Sequence, residues 1–312
     1  MSVPSLQELR NGGKAALAKA LAAIETHANT PALAALLDEA SANLKGHILG
    51  LTGTPGVGKS TLINALIARA RAADQTIAVI AVDPSSKSTG GALLGDRARM
   101  TTNPDDKGVF VRSMAARDRL GGISNETIAA AVLMRALYDR VIVETVGVGQ
   151  SESDIAGIAD TVLLCIQPGA GDSLQFMKAG LMELPDVIAV TKSDIGAAAR
   201  RARADVKGAL GLSAQGEWSA PVVMISATTG DGLDELDQAI ETHKAFLKQD
   251  NRHEKKLRRQ EAAWVDEAIK ARFGSEGLEA SRGIQAEAAG PFSREAALAE
   301  ALRKRLNPLT GK

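Results

Sequence analysis

Cysteine is nearly absent from this sequence: Cys165 is the only one, so no disulfide can close within the chain. Its apolar setting, TVLLCIQ, predicts a strand that buries an inert thiol. Aromatic residues are also scarce, with five Phe, two Trp and one Tyr, and alanine-rich helices are expected to supply much of the packing. Neither sign of charge is in excess, with 37 basic and 37 acidic side chains. That balance leaves no global field to draw in nucleic acid or an anionic membrane. The one local exception, RHEKKLRR at Arg252 to Arg259, reads as a solvated helix face. No apolar run approaches the roughly 18 residues of a membrane span, and MSVPSLQELRNGG has no charged-then-apolar signal pattern. The expected compartment is the cytoplasm. No internal repeat is visible.

What the sequence does have is a 45% hydrophobic composition over 312 residues, enough to bury a substantial core. Leu17, Leu21 and Ile24, then Leu33, Leu36, Leu37 and Leu44, recur at helical spacing and predict two N-terminal helices broken near His27 to Pro31. From His47 the texture changes. HILGLTG, TIAVIAVD, GVFVRS, RVIVET, TVLLCIQ, DVIAVTKSD and PVVMISA are short, nearly continuous apolar runs, as expected of strands covered on both faces. They alternate with helical segments. The fold class is therefore α/β: a doubly wound, mostly parallel sheet with N-terminal and C-terminal helical extensions, and ligands at the C-terminal ends of the strands. Expected boundaries are 1–45 for the N-terminal extension, 46–245 for the sheet domain and 246–312 for a C-terminal arm. In that arm Leu257, Trp264, Val265, Ala268, Ile269 and Phe273 make one apolar stripe, to be covered by this chain or by a second subunit. GSEGLEASRGIQAEAAGPF reads as a glycine-bearing loop before a short final helix.

The strongest chemical signal is GTPGVGKST, Gly53 to Thr61, a Gly-x4-Gly-Lys-Ser motif between an apolar strand and a helical stretch. Glycines leave the backbone N–H groups free to wrap a phosphate. Gly53, Pro55, Gly56, Val57, Gly58, Lys59, Ser60 and Thr61 are the expected phosphate-binding residues, with Lys59 a point charge for the β- and γ-phosphates and Ser60 a hydroxyl for Mg²⁺. Later comes VTKSD, Val190 to Asp194. Asp194 can accept from both N1–H and the N2 amino group of guanine, a donor pair that adenine lacks, with Lys192 along the base plane. Ser226 and Ala227, in ISATTGDG, would put a backbone N–H at guanine O6. Three acids, Asp83, Asp96 and Glu144, end or follow strands and could converge near Mg²⁺, which takes oxygen ligands and keeps several waters. Gly147 would offer its N–H to the γ-phosphate. Val148 stands where Ras-like switches place a water-orienting glutamine, so intrinsic hydrolysis is expected to be slow.

These motifs follow one another in a recognisable order. GTPGVGKST, VDPSS, GDRARM, SMAARDRLGG, ETVGVGQSE, QPGAGDSLQFMKAGLMELPD and TKSD resemble the MeaB/ArgK group of P-loop GTPases over nearly the whole chain. The resemblance implies a GTP-hydrolysing chaperone, with GTP or GDP and Mg²⁺ bound, that gates cofactor loading and protection of an adenosylcobalamin-dependent acyl-CoA mutase, usually methylmalonyl-CoA mutase. It implies a homodimer joined through C-terminal helices, to which the Leu257 to Phe273 stripe would be suited. It assigns Lys59, Asp83, Glu144 and Gly147 to catalysis, Ser60, Asp83, Asp96 and Glu144 to the metal, and QPGAGDSLQFMK to a switch loop facing the mutase. Asp172 and Gln175 of that loop have capping-box spacing. Three residues depart from the family pattern: Thr191 where Asn is usual, Asp118 for Gly, and Ser173 for Glu. Two other functions were weighed. A nickel-insertion GTPase needs clustered soft or imidazole ligands, whereas His27, His47, His243 and His253 are scattered along the sequence. A kinase linked to amino-acid transport needs an acceptor site that no motif marks. No Asp-x-His-x-x-Gly motif is present, so cobalamin is expected on the mutase.

Overall fold

The computed structural model describes residues 3–26, 30–83, 103–116, 123–145, 151–169, 184–211 and 216–306. Two helices, α1 (Leu6–Thr26) and α2 (Pro31–Ala42), precede the sheet. Thr30 caps α2, its hydroxyl accepting from Leu33 N–H, with Pro31 at the first helical position, where a missing N–H costs nothing. Leu44 falls past the end of α2 and is exposed, so the expected apolar series stops at Leu37.

Among the described residues seven strands form one sheet: β1 (His47–Gly53), β2 (Ile77–Asp83), β3 (Val109–Ala115), β4 (Arg140–Thr145), β5 (Thr161–Ile166), β6 (Val187–Val190) and β7 (Val222–Met224). Their order is β3-β2-β4-β1-β5-β6-β7, and every pairing is parallel. The helices between them are α3 (Lys59–Ala72), α4 (Asn125–Leu137), α5 (Ser151–Ala156), α6 (Ala197–Leu210) and α7 (Leu233–Lys248), followed by α8 (Arg252–Ser281) and α9 (Pro291–Leu306).

The strand period of two divides the core into two layers. Ile48, Ile80, Val141, Val143 and Val162 pack with α1, α2 and α4 on one face. Leu49, Leu51, Val79, Ile142, Leu163 and Cys165 pack with α3 and α7 on the other. Covered on both sides, these strands bury their whole sequence, which is why they read as unbroken apolar runs.

The C-terminal arm meets one of two open expectations and departs from a third. Its stripe is covered by this chain: Trp264 joins the α1–α2–α4 layer, while Val265 and Ile269 pack on Leu298, Ala299 and Leu302 of α9. The GSEGLEAS segment is helical, because α8 continues to Ser281 through a break at Gly274, whose φ is 73°.

Three histidines that the sequence scatters are brought together at the N-terminal ends of the strands. The Thr161 hydroxyl bridges His47 Nε2 and His243 Nδ1, each at 2.8 Å. His253 Nε2 meets Asp160 Oδ1 at 2.8 Å, and His243 Nε2 lies 3.2 Å from Asp186 Oδ1. Burial pushes the His47 pKa down to about 4, against the pull of Asp160. The folded state therefore keeps His47 neutral while the unfolded chain takes up a proton near 6.5, so stability falls as pH drops through this window. Urea melts should show a loss of about 2 kcal/mol between pH 7 and pH 5 attributable to this group. His47→Gln should flatten the profile by that amount; an unchanged slope would show that His47 is not held neutral.

Candidate nucleotide site

The P-loop leaves the central strand β1 and enters α3. Gly53 closes β1 with φ 148°, and a Cβ there would lie 2.5 Å from the carbonyl oxygen of Cys165 on β5. Gly56 and Gly58 take φ of 78° and 104°, a region that side chains disfavour. Gly58 is the N-cap of α3, and no side chain caps that helix. Its first-turn N–H groups and the positive end of its dipole therefore face the loop, the arrangement that binds phosphate. Pro55 and Gly56 are exposed at the loop's rim and Val57 is buried beneath it. Lys59 is 7% exposed, and its Nζ donates to the carbonyls of Gly53 at 2.7 Å and Thr54 at 3.3 Å. A buried ammonium held at the loop is positioned to exchange these partners for phosphate oxygens.

Beside the P-loop is a cavity of about 280 Å³ whose lining includes Val57, Gly58, Thr61, Lys192, Asp194 and Ala227, with Ser226 at the same wall. Three strand ends, those of β1, β6 and β7, thus bring together the three motifs that the sequence separates. Lys192 adopts φ 53°, a strained conformation for a residue with a side chain. Its Nζ donates to the Gly56 carbonyl and to Gln167 Oε1, both at 2.9 Å. Gln167 opens the QPGAGDSLQFMK segment that the resemblance assigns to a switch loop; its bond to Lys192 was not foreseen. The Thr191 hydroxyl donates to Val57 O at 2.8 Å, so this departure from the family's asparagine retains a tie to the P-loop. Ser226 is buried, and its N–H donates to Asp231 O at 2.9 Å, folding SATTGDG into a tight turn.

The acids are only partly placed. Glu144 is 4% exposed at the end of β4, in register with Leu51 of β1 and Ala81 of β2. Both Lys59 and Glu144 act on the Cys165 thiol, whose pKa burial pushes up to about 12, so the buried acid and the P-loop lysine share one neighbourhood. Cys165 is therefore inert. Asp83 ends β2 beside β4. Asp96, Gly147, Val148, Gln150, Asp118, Asp172, Ser173 and Gln175 lie outside the described residues. Among the described residues no three His, Cys, Asp or Glu side chains cluster as a ready metal site. The donors at hand, the Ser60 hydroxyl and the Glu144 carboxylate, are oxygens. With the buried hydroxyls of Thr52 and Thr145, which have no hydrogen-bond partner among the described residues, they fit a hard ion that keeps water and phosphate oxygens in its shell.

A family model described as "Methylmalonyl Co-A mutase-associated GTPase MeaB" matches residues 17–281. The chain belongs to the MeaB family. It is 43% identical over 265 residues to a putative GTPase of Pyrococcus horikoshii, covering 81% of each chain. Against the GTPase ArgK of Escherichia coli it is 38% identical over 269 residues, 84% of this chain and 81% of that one. A crystal structure titled "LAO/AO transport system kinase" superposes with a TM-score of 0.69 at 29% identity, covering 96% of each chain. This MeaB-family protein is accordingly a P-loop GTPase that binds GTP and GDP and hydrolyses GTP.

Two substitutions test the site. Asp194→Asn should weaken GTP binding at least about 100-fold, as expected from the loss of two hydrogen bonds to a charged group, and should erase the preference for GTP over ATP in isothermal titration. Comparable GTP and ATP affinities in the parent protein would refute the base assignment. Lys59→Ala should abolish phosphate release under saturating GTP; undiminished turnover would remove the P-loop lysine from the mechanism.

Proposed function

We propose that this GTPase is a nucleotide-driven chaperone that gates cofactor loading and protection of an adenosylcobalamin-dependent acyl-CoA mutase, with methylmalonyl-CoA mutase as the foremost client. The observation that carries the proposal is the match to a mutase-associated GTPase family across residues 17–281. That span reaches beyond the sheet into α1, α2 and α8. A bare nucleotide switch would need only the sheet and its crossovers.

The steps follow from the chain's own groups. Backbone N–H groups of Gly56 to Thr61 cradle the phosphates, and Lys59 neutralises charge that grows on the β–γ bridge. Asp194 and Lys192 select guanine, while Ala227 N–H reaches O6. Ser60 and Glu144, with Asp83 and Asp96, hold Mg²⁺, which when bound neutralises phosphate charge. Glu144 is one methylene longer than the aspartate usual at this position, a reach that would serve an ion held beyond the strand end. Val148 cannot orient the attacking water, so hydrolysis is slow until a partner completes the site. The working assembly is a homodimer with residues 246–312 as its arm, joined through C-terminal helices. The compartment is the cytoplasm; among the described residues no helix is long and apolar enough to cross a membrane.

A nickel-insertion role is disfavoured by the histidine geometry. His47, His243 and His253 converge on Thr161, Asp160 and Asp186, yet among the described residues no His, Cys, Asp or Glu side chains group as a metal site. Purified adenosylcobalamin-dependent methylmalonyl-CoA mutase, added at equimolar concentration, should form a complex and raise the GTPase rate at least about tenfold, in the range of partner-supplied catalysis. Absence of both complex and acceleration with any such mutase would reject the partner. Transfer of the γ-phosphoryl group to a protein or amino acid in place of water would favour a kinase.

A further inference from the structure

The strands β5 and β6 end side by side, with Ile166 paired to Val190, so the residues that follow them leave the sheet together. Thr191 N–H donates to Ile166 O at 2.9 Å and carries the ladder one step further. On the other side of Lys192, Ser193 N–H donates to Ile225 O at 3.0 Å, just past β7. The backbone of Lys192 is thus held between two strand ends, at φ 53°. Its ammonium meets two acceptors, each at 2.9 Å: the Gly56 carbonyl of the P-loop and Oε1 of Gln167.

An exposed lysine, an ammonium on a flexible four-carbon stem, ordinarily keeps its rotamer freedom in solvent. A single acceptor would leave the stem free to swing about that contact. Two acceptors on different elements fix the head, and the stem is then held along the wall of the cavity that Asp194 and Ala227 also line. Lysine offers donors only, so Gln167 has to present its amide oxygen. It does so without charge, and the ammonium keeps its positive charge beside the phosphate loop, where a carboxylate at 167 would offset it. Gln167 is half-buried and follows directly on the buried Ile166, so the sheet sets where its side chain starts.

We propose that Gln167 is a positioning residue for nucleotide binding: its amide oxygen, together with the Gly56 carbonyl, holds the Lys192 stem where it lies along the guanine ring. The proposal rests on the assignment of Lys192 to the base plane. A stem already in place does not have to be ordered when GTP or GDP binds. Gln167 acts only through Lys192. Because the stem meets the face of the base and not its edge, the contribution of Gln167 is the same for any purine, unlike that of Asp194.

A double-mutant cycle read by GDP affinity tests this. Gln167→Met keeps the length of the side chain and removes the acceptor. In the parent background it should raise the Kd for GDP about fivefold, the net contribution of one hydrogen bond. In the Lys192→Met background it should change the Kd by less than about twofold, because its partner is gone. Inosine diphosphate, which lacks the N2 amino group, should lose affinity for Gln167→Met by the same factor as GDP. A parental Kd in Gln167→Met while Lys192→Met binds weakly would overturn the role of Gln167 and leave the base assignment standing. An equal loss in both backgrounds would overturn it as well, since the effect would not pass through Lys192. A loss for GDP without one for inosine diphosphate would place the effect at the base edge, against the proposal. Parental affinity in Lys192→Met would remove the base-plane assignment itself, and the proposal with it.

Discussion

A carboxylate with no solvent contact is the constraint around which the lower half of this molecule is arranged. Asp160 is completely buried, and an isolated charge there would cost several kcal/mol. Its Oδ2 accepts from Ile48 N–H at 2.7 Å, its Oδ1 from His253, and Arg135 Nη1 lies 3.7 Å away. Burial alone would raise its pKa, but the His253 hydrogen bond, the charges around it and the Ile48 N–H hold it down at about 2. Each partner comes from a different element: β1, α8 and α4. The carboxylate therefore ties the P-loop strand, the C-terminal arm and the α4 layer to the start of β5. Neutral residues of similar shape could pack there, yet they would not specify which helix meets which strand.

That register matters because the opposite ends of the same strands carry the nucleotide. β1 runs from His47, beside Asp160, to Gly53 at the P-loop, and β5 runs from Thr161 to the residue before Gln167. Gly53 must lie flush against Cys165 and Gly50 against the turn after α5. Both contacts are set by the sheet, so an error of one residue in pairing would drive side chains into backbone at both places. The strands transmit position, and the loops at their ends carry chemistry. Thr191 and Lys192 tie the base-recognition segment to Val57 and Gly56, so phosphate and base recognition share one scaffold.

Much of this was legible in the sequence because its physical causes are local. Buried parallel strands have to be apolar along their whole length, so RVIVET and HILGLTG announced themselves with the bounds the structure gives them. The P-loop glycines were legible because their function requires backbone without side chains. The histidine cluster was not, since His47, His243 and His253 sit on β1, α7 and α8 and meet only through the tertiary fold. Gln260, which donates to the carbonyls of Ala156 and Ala159 after α5, was hidden for a related reason. It is 6% exposed, on an arm whose pattern is judged by its apolar members, and a single polar residue among charged neighbours carries no periodic signal. Lys256 and His253, within the basic stretch expected to face solvent, point partly inward to Asp186 and Asp160. The helical continuation past Gly274 was missed because a glycine followed by another at Gly277 resembles a loop, whereas the helix tolerates one left-handed residue and resumes.

The placement of Glu144 gives the valine at 148 a physical sense. A buried acid at the end of a central strand, close to the P-loop lysine, is suited to serve an ion. With no glutamine next to the switch glycine, the sequence does not supply the usual water-orienting side chain at that position. Slow intrinsic turnover is the expectation that follows. For a protein whose output is a bound state, slow turnover lengthens the time during which the GTP form persists and can engage a client. The balanced surface charge fits such a role, because specificity in the encounter would come from shape and local contacts and not from long-range attraction.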